Sequence, residues 1–419
     1  MNMNKADLFS WACEQYAKLG VDVEGAIKKL DGTPLSIHCW QGDDVGGLEA
    51  PDVKLTGGIQ ATGNHPGRAR NMGELQADLT FALSMIPGAN KVSLHAMYLD
   101  SKGSQVGRDM IEPGHFEAWA DWAVERGVGL DFNSTFFSHD KSGDGSLTHP
   151  DPAIREFWIE HAKRCRKIGK YFGERTGKLC VTNHWIHDGA KEVPVDTYAP
   201  RMRLIESLDR IFAEPIDPAL HKDAVESKLF GIGSEAYVPG SHEFYMGYAM
   251  KRPEVLLCLD AGHFHPTETV SAKISAMLCY LNEILLHVSR PMRWDSDHVV
   301  MLDDETRQIM KEVVRAGALD RVYIATDYFD ASINRIAAWC VGSRNTKKAL
   351  LAALLEPVAL LRRMAGEGDL GGVLLVSQEQ LTMPLGIVWD HYCETRNTPT
   401  AMKALEKINE YEKDVLLKR

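Results

Sequence analysis

The chain has 419 residues, of which 44% are apolar and 25% charged, and its formal net charge is −11. That length exceeds one ordinary small domain but fits a single (β/α) barrel with extensions, a fold that runs from about 250 to more than 400 residues. The negative charge repels nucleic-acid phosphates, and no run of about 18 apolar residues is present to span a membrane.

The first segment, MNMNKADLFSWACEQYAKLG, mixes Asp and Lys with its apolar residues and lacks the apolar core of a signal peptide. It reads as a helix, and the expected location is cytoplasmic. Cys13, Cys39, Cys165, Cys180, Cys258, Cys279, Cys340 and Cys393 are scattered with no C-x-x-C, which suits buried, reduced thiols in a cytosolic enzyme.

Taken in order, Asp7–Leu19 and Val23–Leu30 read as helices stopped by Gly20 and Gly32. LSIHCW is the first strand candidate and opens into a long Gly-rich loop, QGDDVGGLEAPDVKLTGGIQATGNHPGRAR. A loop of that length inside a folded domain is usually functional or disordered. Its glycines, Thr62, Asn64 and Arg68 could form a mobile lid, while the absence of G-x-x-x-x-G-K-[ST] argues against a phosphate loop. Further on, helix-like and strand-like segments alternate: MGELQADLTFALSMI then KVSLHAMY, HFEAWADWAVERG then GVGLDFNST, IREFWIEHAKRCRKIGKYFGE then KLCVTNHWIHDG, APRMRLIESLDRIFAE then DAVESKLFGIG. The strand ending at Asp260, a helix over 269–284, the strand carrying His287, a helix over 303–316 and RVYIATD follow. Eight strands, near residues 38, 95, 131, 183, 226, 260, 287 and 327, with helices between them predict a (β/α)8 barrel.

Active sites of such barrels sit where the C-terminal strand ends meet. Here those ends supply His38, His95, Asp131, Asn183, Glu226, Asp260, His287 and Asp327. Strand ends are also polar simply because they are exposed, but Lys228 placed beside Glu226 is less easily explained that way. From Ile336 onward the chain is strongly helical, broken at Pro384 and Pro399. The expected division is therefore a barrel with N-terminal helices over 1–335 and a C-terminal helical extension over 336–419, the latter packing in a homo-oligomer or on the barrel's own outside.

The stretch from Cys258 to Asp297 concentrates acids and imidazoles. Asp260 and His263 form D-x-x-H, His287 lies in the next apolar run, and Asp295 and Asp297 form D-x-D. Alternate residues of an extended segment point to one side, so both carboxylates can aim at one point. Singly, each residue would read as a solvated loop charge or a hydrogen-bonded core histidine. All five within one β-α-β-loop unit favour a divalent ion such as manganese, magnesium or cobalt over an all-thiolate zinc site.

With Glu226-Ser227-Lys228 in front of these residues and an aspartate after the last strand, the set resembles the xylose-isomerase-like barrels and, among them, the L-rhamnose isomerase family. SIHCWQGDD, LTGGIQATGN, LDAGHFHPTE, HVSRPMRWDSDHVV and FDASINRIAAW carry that resemblance, which covers essentially the whole chain. It implies interconversion of L-rhamnose and L-rhamnulose, the first step of rhamnose catabolism, by a metal-assisted 1,2-hydride shift in a homotetramer. It also implies two divalent metal sites. A structural site would take Glu226, Asp260, His287 and Asp327, and a catalytic site Asp260, His263, Asp295 and Asp297. Manganese is the expected ion, with zinc, cobalt and magnesium as alternatives. Asp330 competes with Asp327 as the last ligand, and Asp327 is preferred because it ends the strand directly.

On that reading Lys228, Asp295, Asp297, His95 and Asp327 are the catalytic residues, and Trp185, His95 and Lys228 contact the sugar. Lys228 would donate to the carbonyl oxygen, Asp295 or Asp297 would accept the hydroxyl proton, and His95 would assist ring opening. His95 reads equally well as a packed core histidine, and Trp185 as barrel-mouth packing. Three other classes stand beside the isomerase. Phosphodiester cleavage by a metal cluster would favour basic surroundings, which this acidic chain lacks. The His263-x-His265 pair of an amidohydrolase would be expected on an early strand and falls on the sixth, and a non-catalytic sugar-binding barrel would have no need of Lys228.

Overall fold

The computed structural model describes residues 4–49, 55, 56, 59–228, 235–265, 267–292 and 297–419. Its strands are β1 (Leu35–His38), β2 (Asn90–His95), β3 (Gly129–Asn133), β4 (Cys180–Trp185), β5 (His221–Glu226), β6 (Val255–Asp260), β7 (Ile284–Val288) and β8 (Val322–Thr326). They pair in chain order, each parallel to the next, and β8 returns to β1 through Leu35↔Ile324 and Ser36↔Ala325. The expected eight-stranded barrel is therefore closed. Side chains alternate along a strand, so residues two or four places before the polar mouth point the same way. Val181, Ala224, Leu256, Cys258, Leu285 and Ala325 do so and form a small apolar cluster of their own, plugging the bore beneath the site.

The helices are α1 (Lys5–Ala17), α2 (Val23–Gly32), α3 (Met72–Ser84), α4 (Glu117–Arg126), α5 (Pro152–Thr176), α6 (Tyr198–Ile211) and α7 (His242–Lys251). After them come α8 (Ser271–Leu278), α9 (Asp304–Arg315), α10 (Arg335–Leu354), α11 (Val358–Gly366), α12 (Leu370–Glu379), α13 (Leu385–Thr395) and α14 (Ala401–Asp414). Local chemistry sets many of their ends. Asp151 accepts from Ala153 N and Pro152 opens α5, which stops where Gly177 turns left-handed at φ 64°. Asp303 caps α9 in the same way through Thr306 N. Pro384 and Pro399 lie directly before α13 and shortly before α14, where a missing N–H costs nothing. Helix α10 packs on α2, α3, α9 and β1, and Trp339 donates to His38 O at 2.8 Å, so the last turn of the barrel is sealed from outside by this helix.

Several expectations shift. Helix α7 lies between β5 and β6, where the sequence reading names no particular helical segment, because HEFYMGYAMK has little amphipathic contrast to reveal it. The helix over 269–284 is only Ser271–Leu278, and Ile284 already belongs to β7. The strand over 223–233 ends at Glu226, and residues 229–234 lie outside the described ones. Asp131 is inside β3, two residues below the mouth position that Asn133 takes, paired with Lys91 and accepting from Val181 N at 2.7 Å. His38 is fully buried with Nδ1 at 2.9 Å from Thr326 Oγ1, packing the β1–β8 seam and not lining the cavity.

Candidate metal centre and active site

Four strand ends bring their polar residues to one point. Asp260 and His287 are register partners across β6 and β7, Glu226 ends β5, and Asp327 follows β8. His287 Nδ1 stands 3.3 Å from Glu226 Oε2, 3.3 Å from Asp260 Oδ2 and 3.1 Å from Asp327 Oδ2. A second group shares Asp260 and adds His263 and Asp297, whose Oδ2 is 3.8 Å from His263 Nε2. His263 Nδ1 also lies 2.9 Å from Ser227 O and 3.0 Å from Glu226 Oε1. Asp295, expected here, lies outside the described residues. Asp330 lines the same cavity but joins neither group: its Oδ1 accepts from Ser332 N and Oγ in a turn of its own.

The electrostatics of these groups call for a cation. Among the described residues Glu226 Oε1, Asp260 Oδ2, His287 Nδ1 and Asp297 Oδ1 are all buried with no hydrogen-bond partner, a costly state for polar atoms unless an ion binds them. Burial pushes the Asp260 carboxyl up to about 8, with Asp297 adding to the rise against the opposing pull of His263. Burial acts upward on Glu226 too, but His287 and His263 outweigh it and hold that carboxyl low. At His287 burial is outweighed by the surrounding anions, so the imidazole is raised well above its ordinary value. Protons thus gather where a divalent ion would displace them. Three carboxylates and an imidazole form a hard, anionic donor set that fits such an ion.

Hydrogen bonds from neighbouring residues hold the carboxylates in place. Asn183 donates from Nδ2 to Glu226 Oε2, Trp40 Nε1 to Asp327 Oδ1 at 3.1 Å, and Gly262 N to Asp260 Oδ1 at 2.6 Å. Above the two groups is a cavity of about 450 Å³, lined among others by Trp40, Val45, Ile59–Thr62, His95 and Trp185. Lys228 reaches it too, two residues past the end of β5. Its Nζ donates to His187 O at 2.8 Å and Glu235 Oε1 at 2.7 Å, so its ion pair is with Glu235 and not with Glu226. Trp185 stacks edge-on with Phe137 at 5.6 Å between centroids, and its buried Nε1 has no hydrogen-bond partner among the described residues. His95 is packed between Trp40 and Phe137 with Nδ1 at 3.2 Å from Thr135 Oγ1, and burial lowers it to about 3, so it is neutral at pH 7.

Other residues take local roles. Asp188, on the loop after β4, accepts from the N–H and hydroxyl of both Ser146 and Thr148 and closes a neighbouring loop. Trp40, Phe137 and Phe329 line the cavity without having been singled out in the sequence. For Trp40 a signal existed, since it follows the His38 strand end by two residues; Phe137 and Phe329 stand in loops with no period to mark them.

A family model described as L-rhamnose isomerase matches residues 1–419. L-rhamnose isomerases of Salmonella paratyphi B and Salmonella heidelberg are each 56% identical over 409 residues, covering 97% of this chain and 97% of each relative. A solved L-ribulose 3-epimerase is 13% identical with a TM-score of 0.49, covering 80% of this chain and 97% of its own. The match of the family model from end to end, with more than half of all residues identical in full-length relatives, leaves one assignment: this chain belongs to the L-rhamnose isomerase family.

Proposed function

We propose that this chain interconverts L-rhamnose and L-rhamnulose by a metal-assisted shift of hydrogen between the first two carbons of the opened sugar. The observation that carries this is the pair of acid–imidazole groups sharing Asp260 at the floor of the cavity, each with buried oxygens that have no hydrogen-bond partner among the described residues. One divalent ion would be held by Glu226, Asp260, His287 and Asp327, and a second by Asp260, His263 and Asp297 together with Asp295. When bound, such ions supply Lewis-acid polarisation and lower the pKa of a coordinated hydroxyl or water. Manganese is the ion we favour, with zinc, cobalt and magnesium as alternatives.

The chain's own groups supply the rest. Among the described residues Lys228 Nζ bonds His187 O and Glu235, which leaves one of its three N–H donors to direct at the carbonyl oxygen as charge grows there. Asp295 or Asp297 accepts the hydroxyl proton. His95, neutral and held by Thr135, orients the ring oxygen during opening, and Trp185 presents its face to the sugar's apolar side. The same reading makes the enzyme a cytoplasmic homotetramer, which native mass measurement tests directly.

The reaction is tested by ketose formation from L-rhamnose with metal-stripped protein, with and without manganese, and with L-mannose and D-xylose as competitors. Turnover that needs metal and prefers L-rhamnose is expected. No turnover on any aldose with metal restored would sink the isomerase reading.

A further inference from the structure

The chain leaves β1 through a strained turn. Asp44 and Val45 both have left-handed backbone, φ 55° and 61°, although neither is glycine and Val45 is β-branched. That conformation is a true outlier for valine and persists only where surrounding contacts over-determine it. Here the contacts are visible. Val45 N donates to Trp40 O at 3.0 Å, and the preceding Asp43 accepts from Tyr98 OH at 2.6 Å and Gly47 N at 2.5 Å.

Asp44 turns its carboxylate the other way, onto a segment 18 residues further along. Its Oδ2 accepts from Thr62 N at 2.9 Å and its Oδ1 from Thr62 Oγ1 at 2.9 Å. Thr62 Oγ1 in turn accepts from Ala331 N at 2.8 Å, and His65 N donates to Ala331 O at 2.7 Å. Gly63 lies so close to this loop that a Cβ there would meet Ala331 C at 2.4 Å. Outside, His65 Nε2 is 2.7 Å from Glu412 Oε1 on α14, and Arg335 donates to His65 O at 2.7 Å. The strained Val45 and the tied segment Ile59–Thr62 both line the cavity, as does Phe329 on the loop carrying Asp327.

We propose that Asp44 is a positioning residue for substrate binding: its carboxylate clamps Thr62 and thereby fixes the wall of the cavity formed by Val45 and Ile59–Thr62. The inference rests on the isomerase reading for its kinetic consequence, but the clamp has a physical signature of its own. Among the described residues Asp44 bonds Thr62 and none of the metal-binding candidates, so its loss changes how well the sugar is held and leaves the chemical step alone.

The test uses full-length, metal-loaded protein. Asp44→Gly removes the carboxylate while allowing φ 55° without strain, and Thr62→Val removes the hydroxyl at nearly constant shape. Each is expected to raise KM for L-rhamnose about tenfold with kcat within about twofold, and the double variant to add little to either. Asp44→Asn keeps an acceptor oxygen and tolerates the left-handed turn, so its KM should lie closer to that of the parent. Unchanged KM in both single variants, or a fall in kcat at unchanged KM, overturns the proposal. If the parent protein turns over no aldose, the isomerase reading fails and hydrogen exchange judges the clamp. Asp44→Gly is then expected to speed exchange about tenfold or more over Thr62–His65 with the barrel strands unaltered, and unchanged exchange there would refute the clamp.

Discussion

Trp40 Nε1 donates to Asp327 Oδ1 at 3.1 Å, joining the residue just past β1 to the carboxylate just past β8. The bond crosses the seam where the barrel closes, and it leaves Asp327 Oδ2 facing His287. Partners that hold a ligating carboxylate in this way usually carry about 10–100-fold in metal affinity. Trp40→Phe keeps an aromatic ring against His95 and removes only the donor. Manganese affinity should fall about tenfold in chelator competition, with the melting temperature of the metal-free protein little altered. Equal affinity in the variant would show that Asp327 is oriented without Trp40.

Metal removal should be visible in stability as well as turnover. Without a cation, Glu226, Asp260 and Asp327 crowd His287, and Glu226 Oε1, Asp260 Oδ2 and His287 Nδ1 have no hydrogen-bond partner among the described residues. An ion that binds only the folded chain at about a hundred times its Kd stabilises it by about 2.7 kcal/mol. Calorimetry across a manganese series should therefore show a melting temperature that climbs by several degrees as the ion is added and drops again with chelator. A melting temperature indifferent to manganese would contradict ion binding at these residues.

The barrel was legible because its strands are short apolar runs ending in polar residues, and that pattern survives in every unit. Glu226, Asp260, His287 and Asp327 could be gathered from it, since closing a parallel barrel brings all its strand ends to one mouth. Asp131 misled because the strand runs on to Asn133: on the same face but two residues deeper, it pairs with Lys91. What could not be read was the filling between the ends. Lys228 pairs with Glu235, seven residues on, and Asp44 with Thr62, 18 residues on, separations that no periodicity encodes. Helix α7 was passed over for a related reason, having polar and apolar residues too evenly mixed to show a stripe.

His161 predicts how the fold responds to acid. Its Nε2 accepts from Thr135 N at 3.1 Å, so this nitrogen carries no proton, and Nδ1 lies 3.0 Å from Arg108 O, which it serves as donor. Burial, aided by the Arg108 charge, lowers it to about 3. The folded value lies below the unfolded one, so between about pH 6.5 and 3 the unfolded chain binds a proton that the folded chain refuses. This histidine's share of stability is present above pH 6.5 and declines on acidification by about 1.4 kcal/mol per pH unit. His161→Gln can still donate and accept but cannot titrate. Urea unfolding should find it less stable at pH 7 by about 1 kcal/mol, with a shallower decline from pH 6.5 to 4. A decline as steep as that of the parent would place the acid sensitivity elsewhere, for instance at His38, which burial also lowers to about 3.

Lys228 offers the sharpest test of the chemistry, because its surroundings separate two roles. A lysine needed only for packing would be satisfied by the Glu235 ion pair and the His187 carbonyl. A lysine needed for the reaction must also reach the cavity, which Lys228 lines with its ammonium 5.8 Å from the Trp185 ring centroid. Stabilisation of charge that develops only in the transition state lowers kcat and kcat/KM together when it is lost. Lys228→Met, which keeps the stem and removes the charge, should therefore reduce kcat by about a hundredfold or more with KM within a few-fold. Lys228→Arg should not restore the rate, since a planar fork cannot occupy the site of a point charge already shared by two acceptors. Calorimetry on the same variants accounts for any loss of folding caused by leaving Glu235 without its ammonium. If Lys228→Met turns over L-rhamnose at the parent rate, the carbonyl oxygen is stabilised by other groups, and Lys228 serves only to anchor the loop after β5.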